Sequence, residues 1–336
     1  MPLRKIKHVR IEGTPRKRGK MYGKQAKEEI QKSITFYENL ASWFGYTLNE
    51  VARDRAKPIY KYSQSYYEEL KGVAEGADVP FNSIIAVNAR TEIKSLFENE
   101  CTAAYAPKST ILAQNWDWGA DAEDHIIILD ITYPNGLTIT TMTEAGMLAK
   151  IGFNSEGIGV CLNALRTYKE RSGLPIHAIL RRVLEAKTLK EAKRIALTIE
   201  TNTAGNILIA NDVGEYVNVE IAHKKRYIHT DTNSIYVHTN HYLATNITNT
   251  SLDIHQSSLH RYKRSQHLAN QTGSKRNVLN ILHDTEHSTY PILREYHDND
   301  SFGKYGTVLT VVMNLQKRTF QVTDGYPVEN PSLHNI

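Results

Sequence analysis

The chain has 336 residues, of which 40% are hydrophobic and 23% charged, a composition typical of a globular protein with a sizeable core. Its formal charge of +5 arises in residues 1–20, where eight basic residues accompany one acid. The remainder is slightly acidic and offers no broad basic surface for nucleic acid. No apolar run is long enough for a secretory signal or a membrane span, and two cysteines cannot form a disulfide framework, so we expect a cytoplasmic protein with free thiols.

The first hundred residues are predicted to be mostly helical. Apolar side chains recur at steps of three or four residues from Tyr22 to Ala41, which predicts one helix with a buried face. A second helix is predicted to begin near Pro80, and its apolar side runs from Phe81 to Phe97, close to Cys101.

Beyond Cys101 the pattern changes to strands separated by turn residues. The predicted strands are His125–Tyr133, Leu137–Met142, Met147–Phe153, Gly157–Leu162, Asn206–Ala210, Tyr216–Ile221, Ser234–His238, Thr307–Met313 and Arg318–Thr323. Two helices are predicted among them, over Pro175–Ala186 and after Thr188, where Glu191 completes a capping box. Residues 244–304 are polar and are predicted as helices or loops. Grouped strands flanked by helices favour sheets with helices on their outer faces, and no phosphate-binding glycine motif occurs.

A cysteine near the point where helices give way to strands is the first candidate functional residue. A tight turn at residues 107–110 is predicted to return the chain, so that Cys101 and Asp117 lie on paired strands. Asn240 follows a predicted strand, whose end can present its side-chain amide. An arbitrary cysteine is more often a small buried apolar residue, and Cys161, which alternates with apolar neighbours, is expected to fill the core.

Six short motifs favour the functional interpretation when they are taken together. In chain order they are Asn88–Glu92, Cys101–Tyr105, Gln114–Asp117, Gly152–Gly157, Leu162-Asn163 and His238–His241. Their order resembles the acyl-coenzyme A:6-aminopenicillanic acid acyltransferase-like (peptidase C45) family, and more distantly the choloylglycine hydrolases, over nearly the whole chain. The resemblance implies an α+β fold, specifically a four-layer α-β-β-α sandwich of the N-terminal-nucleophile hydrolase type with largely antiparallel sheets. It also implies autoproteolysis between Glu100 and Cys101.

Cleavage at that bond implies that one residue carries both the nucleophile and the base. The new α-amino group of Cys101 has an unperturbed pKa of about 7.7–8.0, so it can accept the thiol proton near neutral pH without a catalytic histidine. By the resemblance, Asp117 orients or tunes the amino group and the thiol, while Asn240 and the region of Asn163 supply hydrogen-bond donors to the oxyanion. Thr307 aligns with a hydroxyl that assists processing.

Each of these side chains also has a structural interpretation. Asp117 could cap a turn or pair with a lysine, Asn240 could hold a β-turn, and Asn163 could satisfy backbone groups after a buried strand. Threonine is common in strands, so Thr307 needs no functional explanation.

The residues on either side of the cysteine motif have two interpretations as well. Trp116 and Trp118 are candidates for lining an apolar acyl pocket, and core packing explains them equally well. Arg90 and Glu92 precede the cleavage point and either hold the precursor's loop or form a surface ion pair.

Two residues depart from the family pattern. Glu100 stands where penicillin acyltransferase has glycine, and a larger, charged residue there could slow the acyl shift or take part in it. Thr307 replaces a serine and retains the hydroxyl. No cofactor is implied, and no metal site is expected at His238 and His241, because no third ligand follows at a recognisable spacing.

These inferences divide the chain into a mostly helical segment, residues 1–100, and a nucleophile-bearing segment, residues 101–336, of one fold. The predicted function is an autoprocessing amidohydrolase or acyltransferase that acts on an N-acyl amide, peptide or acyl thioester through an acyl-Cys101 intermediate. The alternative is an uncleaved, non-catalytic binding or scaffold relative. The expected partner is a small molecule rather than nucleic acid or membrane, and association into a homo-oligomer stays open. Nucleic-acid binding through residues 1–20 is a third, weaker alternative.

Overall fold

Two β-sheets packed face to face form the centre of the computed structural model. It describes residues 6–90, 100–166, 173–201, 203–222, 225–230, 235–244, 252–271, 275–300, 303–324 and 334–335. Helices cover the outer face of each sheet, and the main apolar core fills the space between the sheets and beneath the helices of the first. A smaller core lies between the second sheet and its helices. The expected four-layer α-β-β-α sandwich is confirmed.

The first sheet contains eight of the described strands. They are, from edge to edge, β1 (Lys7–Glu12), β4 (Ile126–Thr132), β5 (Thr138–Glu144), β6 (Ile151–Asn154), β7 (Gly159–Ala164), β8 (Gly205–Ala210), β9 (Tyr216–Ala222) and β10 (Lys225–His229). Neighbours run antiparallel except at the β1 edge, where β1 lies parallel to β4.

The second sheet carries the predicted cysteine motif. Its strands are, in spatial order, β11 (Tyr236–His238), β2 (Glu100–Ala106), β3 (Ile111–Gly119), β13 (Gly303–Asn314), β14 (Thr319–Asp324) and β15 (His334–Asn335), with β12 (His297–Asn299) paired to β13. All of these described pairs are antiparallel. Strands β2 and β3 form a hairpin whose turn ends at Thr110, a residue in the left-handed region with φ of 50°.

Helices precede, interrupt and follow these strands. They are α1 (Pro15–Gln25), α2 (Lys27–Trp43), α3 (Leu48–Arg53), α4 (Ala56–Tyr62), α5 (Gln64–Ala77), α6 (Phe81–Asn88), α7 (Ile176–Leu184), α8 (Leu189–Thr198), α9 (Leu252–Gln271) and α10 (Lys275–Leu282). Helix α7 packs on β6 and β7, α8 on β8 and β9, and α9 and α10 on the second sheet. Within the described part of the chain, none of the helices combines the length and apolarity needed to cross a membrane.

The predicted single helix from Tyr22 to Ala41 is wrong in one respect, because the chain breaks at Ala26 (φ −114°, ψ 29°). The break lets α1 lie along α5 while α2 packs against α6. The second predicted helix ends at Asn88, whose side chain donates to the carbonyls of Ile84 and Gly146 and fixes that end of the helix. Residues 91–99, including the rest of that predicted helix, lie outside the described residues.

Four glycines let α1 and α5 approach at backbone distance. Gly19 and Gly23 of α1 face Gly72 and Gly76 of α5. A Cβ atom on Gly19 would lie 1.9 Å from the carbonyl oxygen of Glu69, and one on Gly72 would lie 2.4 Å from a carbonyl oxygen of α1. Any side chain at these positions would force the helices apart, so the four glycines fix α1 and α5 as one unit.

The basic residues near the start of the chain mostly have acidic partners. Arg18 is 2% exposed and its Nε donates to Glu69 Oε2 at 3.0 Å, while Lys7 Nζ lies 2.8 Å from Glu29 Oε2. Arg16 binds two glutamates of α5. This pairing removes most of the charge excess on which nucleic-acid binding by residues 1–20 would depend.

Candidate active site

Cys101 is the second residue of β2, and the β2–β3 register pairs it with Trp116, while Glu100 is paired with Asp117. The expectation that Cys101 and Asp117 lie on paired strands is confirmed. Because side chains alternate along a strand, the Cys101 thiol and Trp116 face the space between the sheets, whereas Asp117 lies on the opposite face.

Side chains from distant parts of the chain bind both backbone groups of Cys101. Its N–H donates to Asn240 Oδ1 at 2.7 Å. Its carbonyl oxygen accepts from Asn163 Nδ2 at 3.2 Å and from Arg261 Nη1 at 2.9 Å. Arg261 Nη2 also donates to Asn240 Oδ1 at 3.1 Å. Since Oδ1 of Asn240 lies between two donors, the opposite amide orientation would set NH₂ against N–H groups, and the observed one is favoured.

The thiol of Cys101 is almost enclosed, with 6% of the residue exposed. Burial raises its pKa to about 11, and the Asp117 carboxylate acts in the same direction. Lys150, the backbone N–H of Asp117 and Arg261 act to lower the pKa. At neutral pH the thiol of this chain is therefore protonated, and a base must take its proton before the sulfur can attack a carbonyl.

The structure brings Asp117 and Thr307 together, a contact that the sequence analysis did not predict. They are directly paired across β3 and β13, and Thr307 Oγ1 donates to Asp117 Oδ1 at 2.7 Å. The same hydroxyl accepts from the backbone N–H of Arg294 at 2.8 Å, which fixes the direction of its proton. The β13 register shifts just after Thr307, and such a bulge re-aims neighbouring side chains.

Asn240 lies in the loop that follows β11. Its backbone N–H donates to Ser258 Oγ at 2.7 Å, and its Nδ2 donates to the carbonyl oxygen of Ala164 at 3.1 Å. The carbonyl side of this amide therefore faces the nitrogen of Cys101. Its role as an oxyanion donor, which would use the second hydrogen of Nδ2, stays a prediction.

Asn163, near the end of β7, binds backbone groups. Its Nδ2 also lies 3.4 Å from the carbonyl oxygen of His238, and its Oδ1 accepts from Asn206 Nδ2 at 3.1 Å. These contacts match the structural interpretation given to Asn163, and an oxyanion role for it also stays a prediction.

Trp116 and Trp118 form one wall of the space that Cys101 faces. Each is 2% exposed, and their ring centroids lie 6.5 Å apart at 20°. A cation sits on each ring: Lys150 Nζ lies 3.1 Å from the Trp116 centroid, and the Arg90 guanidinium carbon lies 4.6 Å from that of Trp118.

Glu144 joins these two cations. Its Oε2 accepts from Lys150 Nζ at 3.0 Å and lies 3.1 Å from Arg90 Nη2. Burial acts to raise the pKa of Glu144, but Arg90 and Lys150 outweigh it and hold that pKa well below its usual value. Because Arg90 is 7% exposed, the interpretation as a surface ion pair was wrong. Glu92 lies outside the described residues.

The two histidines of the Asn240 motif have protein partners. His238 Nε2 lies 2.9 Å from Glu220 Oε1, and His241 Nδ1 lies 2.8 Å from Ser258 Oγ. In the part of the chain that is described, no group of three or more histidine, cysteine or acidic side chains could hold a metal ion. Cys161 is fully buried in β7, as expected of a core residue.

Sequence reasoning missed Arg261 and Lys150. The available signal for Arg261 was the spacing of Ser257, Ser258, Arg261 and Ser265, which share one face of α9 and are all buried. For Lys150 the signal was a single lysine within the apolar run Met147–Phe153.

Comparisons with known proteins can be set beside this geometry. A family profile described as acyl-coenzyme A:6-aminopenicillanic acid acyl-transferase matches residues 105–329. The chain is 32% identical over 341 residues to the acyl-coenzyme A:6-aminopenicillanic-acid-acyltransferase 40 kDa form of Emericella nidulans, which covers 96% of this chain and 94% of that protein. Protein dcd1A of Dictyostelium discoideum is 21% identical over 225 residues, covering 54% of this chain and 50% of that protein. A solved structure of conjugated bile acid hydrolase from Clostridium perfringens matches with a TM-score of 0.50 at 12% identity, over 71% of this chain and 92% of the other, and supports the fold alone.

Proposed function

The chain belongs to the acyl-coenzyme A:6-aminopenicillanic acid acyl-transferase family, and from this premise we propose that it is an autoprocessing enzyme whose nucleophile is Cys101. It is accordingly an enzyme of acyl transfer or amide hydrolysis. The proposed substrates are N-acyl amides, peptides or acyl thioesters, and the proposed intermediate is an acyl-Cys101 thioester.

The observation that carries this proposal is the hydrogen bond of 2.7 Å between the nitrogen of Cys101 and Asn240 Oδ1. A peptide N–H at this position would become an α-amino group if the bond to Glu100 were cut, and Asn240 would then orient that amine. Arg261 and Asn163 hold the carbonyl on the other side of the residue, so its nitrogen and sulfur have fixed positions.

Processing would proceed by an N-to-S acyl shift. The Cys101 sulfur attacks the carbonyl carbon of Glu100, the C–N bond breaks, and the nitrogen takes up the proton that the thiol has lost. Water then hydrolyses the resulting thioester, which leaves a carboxylate on Glu100 and a free thiol and amine on Cys101. Thr307, which donates to Asp117 next to this bond, is the hydroxyl proposed to assist this step.

Turnover would use the same sulfur with the new amine as its base. The amine takes the thiol proton, the sulfur attacks the substrate carbonyl, and the leaving amine or thiol departs with that proton. An amide hydrogen of Asn240 is proposed to bind the oxyanion, and loss of such a donor typically costs about 3–4 kcal/mol of transition-state stabilisation. Water or an acceptor amine then releases the acyl group. Trp116 and Trp118 are proposed to line the acyl side of this space.

The two segments, residues 1–100 and 101–336, are proposed to remain one folded unit after cleavage. Strand β1 from the first segment pairs with β4 from the second, and Glu69 of the first binds Arg181 of the second at 3.1 Å. These contacts are independent of the bond between Glu100 and Cys101.

Denaturing mass spectrometry tests the proposal. The wild-type chain is expected to give fragments 1–100 and 101–336, and Cys101→Ala only the full-length chain. Cys161→Ala, which removes the other buried cysteine, is the matched control and should be cleaved like wild type. Incubation of the cleaved protein with a panel of N-acyl amides and acyl thioesters should add the acyl mass to the peptide that begins with Cys101. A wild-type chain that stays intact and acquires no acyl group would favour the non-catalytic alternative.

A further inference from the structure

Lys150 lies where the ladder between β6 and β7 stops. The last paired residues there are Gly152 and Val160, so continuing the register sets Lys150 beside Leu162. The backbone of Leu162 instead binds the side chain of Gln114 from the second sheet, with distances of 2.7 and 2.9 Å. At this point the backbone of Leu162 therefore contacts β3, the strand that carries Trp116, in place of β6.

Two contacts bring Lys150 next to the nucleophile. Its Nζ rests on the ring of Trp116, the cross-strand neighbour of Cys101 on the same face of the sheet. Such neighbours have Cβ atoms about 5 Å apart. On the other side, Asn163 follows Leu162 directly, and its Nδ2 reaches the carbonyl oxygen of Cys101.

Lys150 shares its acidic partner with a second buried cation. Glu144 is one carboxylate shared by two cations, Lys150 and Arg90. His125 Nε2 lies 3.9 Å from Glu144 Oε1. Burial, together with Arg90 and Lys150, lowers the pKa of His177 to about 3, so that ring is neutral. Burial and Arg90 also lower the pKa of Lys150 to about 7, whereas Glu144 and a charged Cys101 sulfur act to raise it. A thiolate close to Lys150 would therefore favour its ammonium form and be stabilised by it in return.

The groups that act on the Cys101 thiol come from both sheets and from α9. Asp117 opposes ionisation of the thiol, whereas Lys150 and Arg261 favour it. Arg261 already binds the carbonyl of Cys101, Asn240 and Thr102 through its guanidinium.

We propose that Lys150 is a positioning residue for the nucleophile, whose ammonium group, held by Glu144 against Trp116, stabilises the thiolate of Cys101. The inference rests on the proposed function of Cys101. When the thiol proton passes to the α-amino nitrogen, the sulfur keeps the electron pair of the S–H bond as a negative charge. That charge and the ammonium of Lys150 stabilise each other, which favours the thiolate without Lys150 touching the substrate.

The test is the rate of Cys101 alkylation by iodoacetamide between pH 5 and 10, read by peptide mapping so that Cys101 and Cys161 adducts are counted separately. Lys150→Met should raise the pKa of the thiol by about one unit, which makes alkylation at pH 7 about tenfold slower. Lys150→Gln, which retains a donor for Glu144, should do the same, and Lys150→Arg should restore the rate. Lys108→Met, at the exposed far end of the same hairpin, should match wild type.

This readout separates the inference from the proposed function. It needs neither a substrate nor cleavage, so an altered alkylation profile in an inactive or uncleaved protein would still support Lys150 and would refute only the enzyme proposal. Methionine and glutamine variants that fold, by circular dichroism, and alkylate like wild type at every pH overturn the inference. If both fail to fold, the arginine variant decides: the inference requires its Cys101 to be alkylated at pH 7 at least as fast as that of wild type.

Discussion

Glu69→Gln should sharply destabilise the contact between the two segments. Glu69 is 1% exposed and accepts from Arg18, at 3.0 Å from its Nε, and from Arg181 Nη2 at 3.1 and 3.2 Å. Both guanidinium groups are buried, so a neutral amide would remove the carboxylate that Arg18 binds and leave Arg181 with Glu185, 3.4 Å from its Nε. Breaking a buried pair on one side typically costs 3–5 kcal/mol, and we expect about 4 kcal/mol here.

The measurement is urea unfolding, followed by circular dichroism and tryptophan fluorescence, in the uncleavable Cys101→Ala background so that one chain unfolds. Glu75→Gln on the same helix is the matched control, because its partners Arg16 and Lys20 are at the surface and such pairs contribute about 0–1 kcal/mol. In the cleaved protein, native mass spectrometry should show that Glu69→Gln releases fragment 1–100 at lower urea than wild type. Equal midpoints for the two variants would refute this reasoning about the buried network.

Three further substitutions test other parts of the structure. Arg261→Met should slow cleavage or turnover at least tenfold, because it removes a charged hydrogen bond to the carbonyl of Cys101. Arg264→Met, on the same helix but with Asp284 and Glu286 as its partners, should leave fragment yields and rates unchanged. Burial acts to raise the pKa of Glu220, but hydrogen bonds from two histidine rings lower it to about 2. Its carboxylate therefore stabilises the fold above about pH 4.5, by an amount on the order of 3 kcal/mol. This stabilisation is lost as the pH falls towards 2. Urea midpoints of Glu220→Gln should lack that pH dependence. Gly19→Ala should lower the free energy of unfolding by more than about 3 kcal/mol or prevent folding. Gly45→Ala, with open space around it, should lower it by only about 1 kcal/mol, because of its positive φ. Similar urea midpoints for the two variants would contradict the close contact between α1 and α5.

The hairpin that carries Cys101 could be predicted because its signals are local. Turn residues at 107–110 and alternating apolar runs fix the pairing of β2 with β3, and the register follows from the length of the turn. The break at Ala26 and the edge strand β1 could not be read in the same way. Both depend on packing against elements that are distant in sequence, namely α5 and β4.

From the sequence, only the candidate site residues that the family resemblance covers could be predicted. Asp117 was expected on the strand paired with that of Cys101 and lies there, and Thr307 donates a hydrogen bond to its carboxylate. Arg261 and Lys150 come from a polar helix and from an apolar run, and nothing in the neighbouring sequence shows which strand they face. Their positions depend on how α9 and β6 pack, which is a property of the folded chain.

The partners of Cys101 come from far along the chain: Asn163, Asn240 and Arg261 lie 62, 139 and 160 positions away. All three can surround residue 101 only after the segments that carry them have been made and have packed. A nascent or misfolded chain would therefore have a cysteine in an ordinary peptide bond, with neither the amine nor the held carbonyl that the chemistry needs. Maturation by self-cleavage would in this way act as a checkpoint on folding, because a chain becomes reactive only after its tertiary structure is complete.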